Sequence, residues 1–190
     1  AALAAATRPE ATDFIFFVLL LSLLGAKLWL LVSNLGYYLK FPGELKYLLT
    51  SGGSFYGGLI FGAVFAVWFI RRHKLSYRQL GDIAAPALAL GHFFGRLGCF
   101  AAGCCWGREA AHCAAAVTFT DLKANALTGV PLYLPLYPTQ LMEAALNLGN
   151  FLVLMIWYKK RKYTGQVIAM YMLNYSVIRF AVEYFRGDPA

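Results

Sequence analysis

The sequence predicts an all-α membrane protein: a polytopic transmembrane helical bundle of about five spans, one domain over residues 1–190, with a small extramembrane cap. Three observations carry that expectation. Of 190 residues, 60% are hydrophobic and 14% charged, with a mean hydropathy of +0.58, whereas a soluble domain carries about 25% charged residues. Five apolar runs reach or approach the roughly 20 helical residues that cross about 30 Å of hydrocarbon. The runs are continuous rather than alternating, which excludes barrel strands and leaves helices that satisfy their own backbone in lipid.

The first run lies near Phe14–Val32, after an alanine-rich opening that lacks the basic-then-apolar order of a cleavable signal. Its Lys27 reads as a snorkelling residue or a partner for Asp82. Residues 33–52 then mix aromatic and aliphatic side chains with two lysines, L-G-Y-Y-L-K-F-P-G-E-L-K-Y-L-L, as an interfacial amphipathic helix does. Such an arm anchors the chain at the interface or guides a substrate. The second run, near Gly53–Ile70, opens on Tyr56, Gly57 and Gly58. The third, near Ile83–Ala102, begins at Asp82, read as a favourable charge at that helix's own N-terminus. Residues 103–138 carry T-F-T-D and V-P-L-Y-L-P-L-Y-P, extended and proline-broken, and form the expected cap. The last two runs lie near Thr139–Trp157 and Gln166–Phe185.

The net charge of +8 does not form one basic patch, so a nucleic-acid partner is not expected. Arg71, Arg72, Lys74 and Arg78 follow the second run, and Lys159, Lys160, Arg161 and Lys162 follow the fourth. With Arg8 they place nine basic residues on one side, against five (Lys40, Lys46, Arg108, Lys123, Arg186) on the other. The positive-inside rule makes the nine-residue side and the N-terminus cytoplasmic.

In that orientation the polar residues within the runs gather in the outer half of the membrane. Arg96 and Cys99 share a face of the third run, Gln140 and Glu143 open the fourth, and Arg179, Glu183 and Arg186 stack on one face of the fifth. Two guanidinium forks suit a phosphodiester headgroup entering from the outer leaflet, and Glu183 can orient Arg179 or take a proton. The other reading is structural: buried pairs of Arg179 with Glu183 and of Arg96 with Glu143 that only set helix register.

The residues carry a resemblance. The order S-F-Y-G-G-L-I-F-G, then L-S-Y-R-Q-L-G-D-I-A-A-P-A-L-A-L-G, then G-R-L-G-C-F-A-A-G-C-C-W-G-R, then Y-P-T-Q-L-M-E-A and I-R-F-A-V-E-Y-F-R resembles bacterial prolipoprotein diacylglyceryl transferases over about Phe14 to Asp188. The resemblance implies an inner-membrane, multi-pass enzyme without cofactor that moves the diacylglyceryl group of phosphatidylglycerol onto the thiol of a prolipoprotein signal peptide, at a pocket facing the periplasm. It implies that Arg96 and Arg179 bind and polarise the phosphate, and that Glu183 supports Arg179. Gly57, Gly58, Gly103 and Gly107 would then shape the pocket, with Gln140, Glu143 and Arg186 lining it. The chain departs from the family pattern at Tyr56 and Tyr137, where histidines are usual, and at Cys99, Cys104 and Cys105, which replace polar residues. The resemblance implies seven spans, of which this stretch of sequence is expected to hold five, without the family's first and last.

Cys99, Cys104, Cys105 and Cys113 admit three readings: disulfides on an oxidising side, a zinc site with His112, or a reactive thiol in the arginine pocket that transiently accepts an acyl or glyceryl group. His92 or Tyr56 would then manage protons. Two functions follow. The chain is a lipid-modifying transferase using Arg96, Arg179, Glu183, Tyr56, Cys99 and Cys104, or a catalytically silent lipid-binding subunit of a larger membrane complex.

Overall fold

The computed structural model describes residues 9–50 and 53–188. The chain read above as one domain falls into two compact units, Ala1–Ser76 and Tyr77–Ala190.

In the first unit, helix α1 (Pro9–Ser33) leads to α2 (Leu35–Lys40), a 3-10 turn (Pro42–Glu44), α3 (Leu45–Thr50) and the long α4 (Phe55–Arg72). The single interfacial helix expected over residues 33–52 is broken. Phe41 precedes Pro42 and takes φ −128°, ψ 71°, because a proline ring disfavours helical backbone in the residue before it. Leu35, Tyr37, Leu39, Phe41 and Leu45 all remain exposed, so the amphipathic character persists in pieces. Within this unit Lys27 Nζ donates to the Leu48 carbonyl at 2.7 Å.

Helices α1 and α4 meet along small residues. A Cβ on Gly57 would collide with Trp29 Cβ and the Gly25 carbonyl, and one on Gly58 would lie 3.1 Å from the Ser22 carbonyl. Small side chains bring apolar helices to van der Waals contact where lipid supplies no hydrophobic drive between them.

The second unit opens with α5 (Tyr77–Ala102), which continues through Pro86. A loop follows, carrying strand β1 (Val117–Thr118), helix α6 (Leu122–Thr128) and strand β2 (Pro135–Leu136). The strands pair antiparallel, Val117 opposite Leu136. Helix α6 starts where the Asp121 carboxylate accepts from the Lys123 amide and stops at Gly129, φ 71°. Helices α7 (Thr139–Lys160) and α8 (Gln166–Glu183) complete the unit. Ala85 and Ala89 of α5 pack against Leu154 of α7 and against Val167 and Tyr171 of α8.

Asp82, wholly buried, does not serve its own helix as expected. Its carboxylate accepts the backbone N–H groups of Gly165, Val167 and Ile168, at 2.8, 2.9 and 3.0 Å, and so caps α8 from α5. Arg161 stands 3.8 Å away while stacking on Tyr158. His92 likewise spends itself between helices, its Nδ1 lying 3.2 Å from the Tyr171 hydroxyl.

Among the described residues, four helices are long and apolar enough to cross a membrane: Phe16–Ser33 within α1, and α4, α5 and α7. The fifth expected run forms a helix, α8, of 18 residues, which is not among those four. Its Asn174, Ser176, Arg179 and Glu183 lower its hydropathy below theirs.

Candidate functional site

Helix periodicity places Arg96 on α5, Glu143 on α7, and Arg179 with Glu183 on α8, all toward the loop-bearing end of the second unit. Packing of the three helices turns them into a ladder of alternating charge. Arg96 Nη2 lies 3.0 Å from Glu143 Oε1, and Arg179 Nη1 lies 3.7 Å from Glu143 Oε2. Arg179 Nη2 then meets Glu183 Oε2 at 2.6 Å, Arg186 Nη1 stands 3.7 Å from that oxygen, and Arg186 forks onto Asp188. Both register-setting pairs read from the sequence are present, joined by one acid.

Burial is uneven along the ladder. Glu143 is 2% exposed, Arg96 19%, Arg179 31% and Glu183 53%. The inner acid is fixed by two cations, while the outer acid is free to exchange partners with water or ligand. Beside Arg179 and Glu183, on the face of α8, runs an open groove of about 480 Å³ lined also by Tyr175, Ser176 and Phe180. Asp188 holds the Arg186 proton more firmly than usual by hydrogen bonding, against the opposing effect of burial.

The loop leaving α5 is held by α7. Gln140 Nε2 donates to the Cys104 carbonyl at 2.8 Å and Thr139 Oγ1 to the Cys105 carbonyl at 2.9 Å. Gln140 is 1% exposed, so it supports the wall from behind. Gly103 takes φ 72°, and its carbonyl accepts from Thr128 Oγ1. All four cysteines are free thiols, and Cys113 stands apart from the Cys99, Cys104 and Cys105 sulfurs. His112 joins no such group among the described residues.

A hydrogen bond from Cys99, followed by the Arg96 charge and Cys104, pulls the Cys105 thiol down to about 5 against burial, while burial first and the Cys105 charge next push Cys104 up. The thiolate is the nucleophile and forms above its pKa. Alkylation of the reduced chain is therefore expected to modify Cys105 ahead of Cys104. Its rate should level off by about pH 6 rather than climbing toward pH 9. A Cys105 rate still rising steeply between pH 7 and 9 contradicts the assignment.

Gly107 is a crossing point. Arg108 N donates to the Phe185 carbonyl and Tyr137 N to the Arg108 carbonyl, so three segments meet there, and Gly107 pairs with Arg186. A Cβ on Gly107 would strike the Tyr137 carbonyl and lie 2.7 Å from Tyr137 Cβ and 2.9 Å from the Phe185 carbonyl. Backbone cannot yield as a side chain can, so Gly107→Ala is expected to cost about 1–3 kcal/mol by overpacking. Thermal unfolding in micelles reads it, and an unchanged midpoint refutes it. Arg108 faces the Tyr137 and Phe185 rings, each at 5.9 Å.

Tyr56, Gly57 and Gly58 belong to the other compact unit, where Gly57 and Gly58 serve helix packing and Tyr56 is exposed. Conversely, Cys105, Thr139, Arg108 and Asp188 contribute without having been singled out as site residues. Vicinal cysteines beside an arginine were the available signal for Cys105; nothing local marks Thr139, whose partner lies 34 residues away.

The second unit thus has the form of an integral-membrane helical protein whose arginine- and carboxylate-bearing helices converge under a tied-down loop. The chain belongs to the prolipoprotein diacylglyceryl transferase family, whose model matches residues 2–190. It is similar to the phosphatidylglycerol–prolipoprotein diacylglyceryl transferase 2 of Clostridium perfringens, 34% identical over 170 residues, covering 88% of this chain and 63% of that protein. Similar transferases of Nitratidesulfovibrio vulgaris strain DP4 (36% over 178 residues; 92% and 63% covered) and Bordetella avium (35% over 184; 95% and 66%) match as well. The chain spans just under two-thirds of the length of these curated relatives.

Proposed function

We propose that the chain transfers a diacylglyceryl group from phosphatidylglycerol to a cysteine thiol of a prolipoprotein, at an inner-membrane site opening to the periplasm. The observation that carries this reading is that one buried carboxylate, Glu143, holds both Arg96 and Arg179, on two different helices. Two forks prepositioned in a poorly hydrated place favour a bidentate phosphate ligand.

The chemistry follows from charge. The acceptor thiol gives up its proton, its sulfur bonds to the glyceryl carbon, and the bond from that carbon to the phosphate oxygen breaks. Glycerol phosphate departs with both electrons of that bond. The diester has one negative charge and the departing monoester gains a second, so Arg96 and Arg179 stabilise the transition state more than the bound lipid. Phosphate that engages Arg179 competes with Glu183 for the same guanidinium. A Glu183 carboxylate so released, the most exposed acid of the ladder, is the group we assign to accept the thiol proton. The groove on α8 supports lateral lipid entry, with Phe180 against acyl chains and Arg179 at the polar end. Cys105 fits no carrier role, because a thioether formed on it is a poor leaving group and would end the reaction.

Labelled phosphatidylglycerol and a prolipoprotein peptide provide the test, with Arg96→Ala as control. Transfer is expected, with a loss of about 100–1,000-fold in the variant, as for removal of one oxyanion donor. Arg96→Lys should recover only part, since it restores charge without the fork. Tight lipid binding with no transfer by the intact protein would overturn the reading in favour of an accessory lipid-binding subunit.

A further inference from the structure

The Sγ atoms of Cys99, Cys104 and Cys105 all lie within 4.8 Å of one another, and each residue is half-buried. Neither helix packing nor the transfer chemistry requires that meeting. Adjacent residues in an extended chain point to opposite faces, yet Cys104 and Cys105 converge. They do so because the backbone is left-handed at Gly103 and again at Cys105, φ 72° and 58°, a region that a cysteine rarely adopts. The turn is held partly from outside the cluster and partly by its own backbone. Buried Gln140 and Thr139 of α7 donate to the Cys104 and Cys105 carbonyls, and the Cys104 amide donates to the Cys99 carbonyl at 3.1 Å. Three sulfurs are thus brought together by a turn that α7 buttresses from behind.

We propose that Cys99, Cys104 and Cys105 form a three-coordinate site for a soft, thiophilic cation, with Cu(I) the first-row ion that the donor set selects. An all-sulfur set favours Cu(I) over harder ions. Structural zinc closes with four protein ligands, and among the described residues no histidine or carboxylate joins the trio. Each ligating thiol surrenders its proton to the buffer. Three thiolates on a monovalent ion leave two negative charges, and the Arg96 guanidinium, which acts electrostatically on Cys105, offsets one of them. The site is independent of the transfer reading and survives its failure.

The experiment uses the full chain, reduced and anaerobic in detergent micelles, titrated with Cu(I) against the chelator bathocuproine disulfonate. One ion per chain is expected. Bound Cu(I) should shield Cys99, Cys104 and Cys105 from iodoacetamide, read by peptide mass spectrometry, while Cys113 still reacts. Cys99→Ser, Cys104→Ser and Cys105→Ser should each weaken binding at least tenfold, and Cys113→Ser should not. If the serine variants fail to fold, the protection pattern of the unmodified protein decides alone. The proposal is overturned by bound copper that leaves the trio reactive, by a Cys113→Ser loss as large as the others, by tighter retention of Zn(II) than of Cu(I), or by a disulfide within the trio in protein purified without reductant.

Discussion

Glu143→Gln is expected to lower stability by about 3–5 kcal/mol, the cost of removing one member of a buried ion pair, and to abolish lipid transfer. The substitution keeps the volume and removes only the charge. Arg96 and Arg179, which share Glu143 from opposite sides at 3.0 and 3.7 Å, would then face each other across a neutral amide. Like charges in a poorly hydrated site repel strongly. Thermal unfolding in micelles and the labelled-lipid assay read the two effects separately. Adding Arg96→Met to Glu143→Gln removes the uncompensated cation, so the double variant should regain much of the stability and none of the activity. Wild-type unfolding of Glu143→Gln would mean that the acid does not hold the two forks.

Asp82→Ala has the next largest expected effect, about 3–5 kcal/mol, since it strands backbone donors that a charged, buried acceptor had satisfied. Three N–H groups lose their partner at once, and Val167 among them is wholly buried. Asp82→Asn retains a carbonyl acceptor and should fall between wild type and alanine. Hydrogen exchange over the first turns of α8 is the direct measurement. Rapid exchange there, with α7 still protected, is expected. Unchanged protection would show that the cap is dispensable. Because α8 rises about 1.5 Å per residue, a small tilt at Val167 displaces Arg179 appreciably, so transfer should weaken in step with exchange.

The helices were legible because each spans enough apolar residues to be identified locally, and their starts at Thr139 and Gln166 agree with the expected ones. The ladder was legible for a related reason: Arg179, Glu183 and Arg186 interact at helical spacing. What stayed hidden depends on contacts remote in sequence. Asp82 reads as a cap for its own helix because nothing near it reveals Gly165, 83 residues on. Gly57 and Gly58 read as pocket glycines, whereas their close approach to α1 depends on which face of that helix turns toward them. Helix α6 had signals in hand, Asp121 before it and Gly129 after it, but the prolines around it favoured an extended reading. The broken arm at Pro42 is the converse, a local stop overruled by an attractive amphipathic pattern.

The knot at Gly107 also bears on when the site comes into being during synthesis. Chains emerge from the N-terminus first, so Arg96 and then Glu143 are made before Arg179 and Glu183. The loop after α5 is tied first by Thr139 and Gln140 of α7 and last by Phe185 and Gly187, which engage Arg108 and Trp106. Arg179 and Glu183 precede those two residues in the chain, so the second guanidinium is made just before the last ties of the loop. A site that needs both guanidinium groups is therefore complete only once the last helix has been made.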